Sequence, residues 1–546
     1  MVAVNISVYV RDRMAPGDPS SSALRPPGDT AFFGHPRGLS TLFFSEGWER
    51  FSYYGMRAIL ILFMIAPVAA GGLGFSAAKA GLIYGIYTSM VYLLGVPGGW
   101  IADKFLGLRY AVLWGGVLIM LGHISLAYPA MPTFYAGLAL VMIGTGLLKP
   151  NISAMVGQLY AADDPRRDSG FSIYYMGINL GALLAPLIVS YLAEPGSFRT
   201  FLETVGIPGT ASWHFGFGMA AVGMALGLIQ YVAGWSKLGD AGARPPRPAS
   251  EVQARRNRLI LIGILVAVFL VPAAIGVLAA SDVLIVNEGR IGVWFSTLLL
   301  VLVFGLFGGL FGLGTWTTDE RRRLLVVLLL FFGAVVLWAV FEQAGSTLTL
   351  IAAKETDLDM GWITLRAGWF QSINAAFVVL LAGVFAWFWL KLVRLGIHLS
   401  APAKFGIGLV LLAAGLLVMV PGAQMAAEGT KISPMWLVGV YLLHTLAELC
   451  ISPVGLSSMT RLAPAAISGM VMGIWFLGAA VGNYIAGRMG GLYGSMPTAD
   501  LLLYQVALPL GAAVVFFALA RPIRRMLKRT SDENAAAAAS QDESKN

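Results

Sequence analysis

The chain has 546 residues, 58% hydrophobic and 12% charged, with mean hydropathy +0.76, whereas soluble domains carry roughly 25% charged residues. That balance excludes water as the main solvent. The net charge of +9 raises the question of nucleic acid, but the basic residues sit in short loops between apolar runs and not on one face with interleaved aromatics, so membrane orientation explains them and nucleic acid does not.

In chain order, residues 1–38 are rich in Pro, Ser and Gly and lack the apolar core and cleavage site of a secretory signal, which predicts a disordered cytoplasmic N-terminal extension. About fourteen apolar runs follow, starting near 42, 79, 110, 133, 169, 213, 259, 291, 324, 366, 404, 434, 466 and 500. Each has the roughly 20 residues that cross a ~30 Å hydrocarbon core. They divide into six spans over 39–236, a cytoplasmic linker over 237–257 and eight spans over 258–526. The linker carries Arg244-Pro-Pro-Arg247-Pro, which cannot continue a helix. Residues 527–546 read as a disordered cytoplasmic tail. The fold class is therefore an all-α membrane protein with the lipid bilayer as its first partner.

The connections alternate in charge. One set holds Lys104 and Arg109, Arg166 and Arg167, the arginines at 244, 247, 255, 256 and 258, Arg321 to Arg323, Lys391 and Arg394, Arg461, and the basic residues at 524, 525, 528 and 529. The other set is neutral or acidic, with Lys79, Arg199, Lys354, Lys431 and Arg488 as exceptions. The positive-inside rule makes the first set cytoplasmic and puts both termini inside.

Nothing in the sequence suggests an enzyme: no GxxxxGK[ST], HExxH or GxSxG occurs, and His35, His123, His214, His398 and His444 lack metal-ligand spacing. Cys450, the single cysteine, excludes an intrachain disulfide and a paired-cysteine metal site. The run Gly308-Gly309-Leu-Phe-Gly312-Leu-Gly314 reads as close helix packing in lipid.

Charged side chains at the bilayer centre cost about 2.5 to 3.5 kcal/mol each, so those inside spans are functional candidates. The first span carries Glu46, Glu49, Arg50, Tyr53, Tyr54 and Arg57. At about 100° per residue, Glu46, Arg50, Tyr53 and Arg57 share a narrow sector, with Glu49 and Tyr54 on its flanks. Snorkelling to the headgroups fits Glu46, stays open for Glu49 and fits Arg57 poorly, so the stripe is expected to face a wet or paired interior. Later spans add Lys149, Glu342 and Glu448. Cations on early spans and anions on late ones make a dipolar cavity suited to a zwitterion.

These residues sit in strings that resemble the proton-dependent oligopeptide transporter family of the major facilitator superfamily. The strings are Gly34-His-Pro-Arg-Gly38, E-x-x-E-R at Glu46, Glu49 and Arg50, and Gly99-Trp-Ile-Ala-Asp103-Lys104 with Gly107 and Arg109. Further along come Lys149-Pro-Asn151, Phe171 to Gly181, Phe341-Glu-Gln-Ala-Gly-Ser346, Ser452 to Ser457, Trp475-Phe476 and Gly482-Asn483. The resemblance implies a major facilitator fold of two six-helix bundles, over 39–236 and 315–526, with two additional helices over 258–314, fourteen in total, in a bacterial inner membrane. It implies symport of di- and tripeptides with protons by alternating access, without a cofactor, by a monomer.

On the same resemblance, Arg57 and Lys149 attract the peptide carboxylate, and Glu448 with Asn179 and Asn374 receives the amino terminus. Tyr53, Tyr54, Tyr92 and Trp475 line side-chain pockets, with helix packing an open alternative for Tyr53 and Trp475. Glu46, Glu49, Arg50 and Glu342 couple protons, Glu342 as the carrier, because a carboxylate moved between a cation and a desolvated pocket changes its proton affinity. Asp103, Lys104, Gly107 and Arg109 form a conformational motif. Two positions depart from the family pattern: Gly85 stands where animal members have histidine, and Ala375 follows Asn374 where relatives often have proline. Alternatives are another small solute (a peptide-like drug, an amino acid or nitrate, the last disfavoured by Glu448) and a non-transporting peptide receptor.

Overall fold

The computed structural model describes residues 29–161, 164–243, 245, 250–266, 287–397, 399–464 and 467–543. Among them the architecture is helical, and extended pairing is confined to isolated bridges such as Phe32 with His35 and Thr356 with Ile432. The chain forms two compact units that meet in sequence at Leu300 and Val301.

The first unit contains α1 (Arg37–Ile65), α2 (Ala77–Leu93), α3 (Gly95–Ile101), α4 (Leu108–Ala127), α5 (Met131–Gln158), α6 (Arg167–Ala193), the short α7 (Ser197–Thr204), α8 (Ser212–Ala233), α9 (Glu251–Leu265) and the start of α10 (Glu288–Leu313). α1 packs on α6 and α8, and α4 on α5 and α8. Glycine permits the α4–α5 approach: a Cβ on Gly115 would lie 2.7 Å from the Gly144 carbonyl oxygen, and one on Gly144 would lie 2.6 Å from that of Gly115. Lipid tails are as apolar as leucine, so this backbone contact, not hydrophobic exclusion, drives the association.

The second unit contains α11 (Thr318–Phe341), α12 (Thr347–Lys354), α13 (Gln371–Arg394), α14 (Ala401–Ala427), α15 (Met435–Leu462), α16 (Ser468–Gly490) and α17 (Thr498–Glu543). α14 packs on α15 and α17, and α11 packs on α16. α11 begins at a reciprocal cap, with the Thr317 hydroxyl accepting from Glu320 N and the Glu320 carboxylate accepting from Thr317 N. Phe405 and Phe516 stack at 5.2 Å between α14 and α17.

Twelve helical segments among the described residues are long and apolar enough to cross a membrane. α1 is as long, at 29 residues, but carries Glu46, Glu49, Arg50 and Arg57. Several boundaries differ from the sequence expectation. α1 starts at Arg37, inside the segment 1–38 read as disordered, and residues 1–28 lie outside the described residues. α9 starts at Glu251, inside the linker read over 237–257, because Ser250 caps it by accepting from Gln253 N at 3.2 Å. α17 runs to Glu543, beyond the end at 526, and its alanine run has the highest helix propensity of any residue type. Most of the span read from 259 falls on 267–286, outside the described residues. A Cβ added at Gly308, Gly309 or Gly312 would meet no atom within 4 Å among the described residues, whereas one at Gly314 would collide with the Trp316 side chain, so the described residues show crowding only at the end of that run.

Candidate functional site

In the first unit the charged stripe of α1 is buried: Glu46, Glu49, Arg50 and Arg57 are 2%, 0%, 3% and 5% exposed. Snorkelling is thereby excluded for Glu46 and Glu49, and pairing replaces it. Arg50 Nε donates to Glu46 Oε1 at 2.8 Å and lies 2.7 Å from Glu49 Oε2, so one guanidinium holds two carboxylates. Arg57 Nε donates to the Tyr84 hydroxyl at 3.0 Å, and its guanidinium lies 5.6 Å from the Tyr54 ring centre. Tyr53 is buried, edge-on to Tyr54 and 5.7 Å from the Arg50 guanidinium, so it both packs and contacts a cation.

Lys149 projects from α5 over the Tyr92 ring at 4.2 Å and is near enough for Glu49 to feel its charge. The neighbouring Pro150 withdraws a helical N–H, and Asn151 Nδ2 donates to the Leu147 carbonyl at 2.6 Å in the same turn. Asn179 is buried on α6 and donates to Tyr175 O at 3.0 Å.

Asp103 and Lys104 lie in a π-helical turn, Ala102–Leu106, that Gly107 closes at φ +77°. Arg109 then reaches the chain just after α8. Its Nη2 donates to Gly239 O at 2.5 Å and to Ala241 O at 2.9 Å, its backbone N–H donates to Gly242 O at 3.0 Å, and its guanidinium lies 5.2 Å from the Trp235 ring.

In the second unit Glu342 is 3% exposed and opens a 3-10 turn, Glu342–Gly345, that interrupts the helix between α11 and α12. Gln343 braces the interruption, donating to Ala339 O at 2.9 Å and Ala486 O at 3.3 Å while accepting from Thr347 Oγ1 at 2.5 Å and Gln505 Nε2 at 3.2 Å. Glu448 lies close enough to Glu342 to feel its charge. Asn374 Nδ2 donates to Glu448 Oε2 at 3.1 Å and to Thr445 Oγ1 at 3.0 Å. Ala375 thus leaves α13 regular without removing Asn374 from Glu448. Trp475 is buried in the space that a Gly455 side chain would fill, the geometry of helix packing.

Tyr84, Thr445, Gln343 and Gln505 were not singled out from the sequence. Two amides inside apolar runs are a signal on the same cost argument as charges, whereas Tyr84 and Thr445 offer none. No group of three or more His, Cys, Asp or Glu among the described residues is placed to hold a metal ion.

Comparison with known proteins adds independent evidence. The family model described as POT family matches residues 109–501. Peptide transporter YePEPT of Yersinia enterocolitica is 39% identical over 528 residues, covering 93% of this chain and 99% of its own. A di-/tripeptide transporter of Lactococcus lactis subsp. cremoris is 36% identical over 507 residues, covering 91% and 98%. Among solved structures, that of peptide transporter POT in complex with sulfate superposes with a TM-score of 0.82 at 38% identity, covering 93% of this chain and 98% of that one. The chain belongs to the POT family.

Proposed function

We propose that the protein imports di- and tripeptides together with protons by alternating access. The observation that carries this reading is the chemical polarity of the charges inside its helices. The first unit offers buried Arg57 and half-buried Lys149 with their aromatic partners, and the second offers buried Glu342 and half-buried Glu448. Two cations match a peptide carboxylate, and a carboxylate reinforced by an amide matches its ammonium group. Contacts to the two termini leave the side chain of the peptide unread, which suits varied sequences. The names of the YePEPT and Lactococcus relatives support the substrate class.

Glu342 is the proposed proton carrier, with Glu46, Glu49 and Arg50 as the coupled group of the first unit, and no cofactor takes part. A simple anion such as nitrate would be repelled by Glu448. The same reading makes α1 a thirteenth span and assigns a fourteenth to the segment running on from α9, in an inner membrane with both termini cytoplasmic and the monomer as working unit.

The test is uptake of labelled dialanine into proteoliposomes with and without an inward proton gradient, for the wild type and Glu342→Gln. The expected result is gradient-driven uptake in the wild type that the variant loses while keeping counterflow exchange. No wild-type uptake under any gradient would overturn the proposal.

A further inference from the structure

Thr445 is fully buried on α15, and its hydroxyl donates back along the helix to Tyr441 O at 2.7 Å. A hydroxyl has one hydrogen, so toward every other neighbour Thr445 only accepts. A carboxylate likewise only accepts. Asn374 faces both, with Nδ2 at 3.0 Å from Thr445 Oγ1 and 3.1 Å from Glu448 Oε2, and the two hydrogens of its amide nitrogen are thereby consumed. The flipped amide would set an oxygen against two lone-pair donors, so the network itself selects the orientation.

The consequence lies on the other side of the amide. Asn374 Oδ1 and Glu448 Oε1 are engaged by no protein group among the described residues, and both side chains are half-buried rather than sealed. Two oxygens that only accept form a receptor for an alkylammonium, which brings three N–H donors and a positive charge. Glu448 alone would hold the amide while it is ionised and unliganded. When a cation or a proton neutralises it, that hold relaxes, and Thr445 is the partner whose accepting character does not change.

We infer that Thr445 is a positioning residue that keeps the Asn374 oxygen turned toward the incoming amino group, so that discrimination between free and N-acylated amino termini at this site depends on the Thr445 hydroxyl. The inference rests on the proposed peptide function and on Glu448 as partner of the ammonium. An N-acetylated peptide offers one uncharged N–H where the free peptide offers three donors and a charge.

The test is competition against labelled dialanine in proteoliposomes by unlabelled dialanine and by N-acetyl-dialanine, for wild type, Thr445→Val, Thr445→Ser and Glu448→Gln. Valine keeps the shape of threonine and removes the hydroxyl. Loss of one neutral hydrogen bond predicts an apparent KM for dialanine raised about 3- to 10-fold in Thr445→Val, with Vmax kept. The ratio of the two competitors should contract by the same factor, and Thr445→Ser should restore it. An unchanged ratio in Thr445→Val overturns the inference, as does an equal loss for both competitors in the valine and serine variants, which would assign Thr445 to packing. Glu448→Gln separates the levels. If it leaves the ratio unchanged, the ammonium assignment of Glu448 falls and the inference with it; if it collapses the ratio while Thr445→Val does not, Thr445 alone is wrong.

Discussion

Arg50 between Glu46 and Glu49 permits a quantitative prediction. At 2.7 and 2.8 Å and an effective dielectric near 20, each pair gains ~6 kcal/mol of Coulomb energy. Desolvating three ions costs several kcal/mol apiece, so the intact cluster contributes little net stability. Removing the shared cation changes the sum, because Arg50→Met leaves two carboxylates buried one helical turn apart with their desolvation cost uncompensated. Breaking a buried pair in this way costs about 3 to 5 kcal/mol. The triple variant Glu46→Gln, Arg50→Met, Glu49→Gln removes the charges together and should recover most of that loss. The assay is thermal unfolding of purified protein in detergent, followed by monodispersity on size exclusion. If the triple variant melts no higher than Arg50→Met, the three residues are not one coupled unit and the reasoning fails.

Three further outcomes follow from the geometry. Tyr84→Phe removes only the oxygen that accepts from Arg57, and a hydrogen bond to a charged group is worth about 1.5 kcal/mol at the low end; the KM for dialanine should rise about tenfold at unchanged Vmax, measured by uptake. Gly115→Leu would push a side chain into the Gly144 backbone and the Leu148 side chain, and overpacking of this kind costs about 1 to 3 kcal/mol or more, read as a lower melting temperature and yield, with exposed Gly305→Leu as the unaffected control. Burial, reinforced by Arg166 and opposed by Asp164, holds the His35 imidazole below the usual 6.5. The folded state then refuses a proton that the unfolded state accepts, so this stability is complete above about pH 6.5 and is lost as pH falls below it. Wild type should lose more melting temperature than His35→Gln between pH 7.5 and 5.5, and parallel losses would contradict the assignment.

The membrane class and most span positions are legible in the sequence because apolar length is a one-dimensional property: the span read from 324 begins at Thr318 and that from 133 at Met131. The charges of α1 are equally legible, since their cost in lipid is independent of what surrounds them. Their partners are not. Tyr84 is a tyrosine in an apolar run, and only the turn of α2 against α1 makes it the acceptor for Arg57. Trp475 shows the converse, for its burial against Gly455 follows from a crossing of α15 and α16 that no local pattern encodes. The helix break at Glu342 left a trace in Gly345 and Ser346, but its stability depends on Gln505, far along the chain.

That break also has a mechanical meaning. α12, the eight residues beyond it, is a rigid arm about 12 Å long, joined to α11 through a short 3-10 turn in which Ser346 N donates to Gln343 O at 3.1 Å and side-chain bonds supplement the main-chain ones. Thr349 Oγ1 donates to Ala344 O at 2.6 Å, and Gln343 and Thr347 tie the turn to itself. Side-chain bonds can be exchanged one at a time, whereas a helical ladder must break several at once. A tilt of about 20° at this joint would sweep the far end of the arm through about 4 Å, the width of one amino-acid side chain. Glu342, at the fulcrum, would turn while scarcely moving, so a change in its charge would act where the least displacement is converted into the most travel.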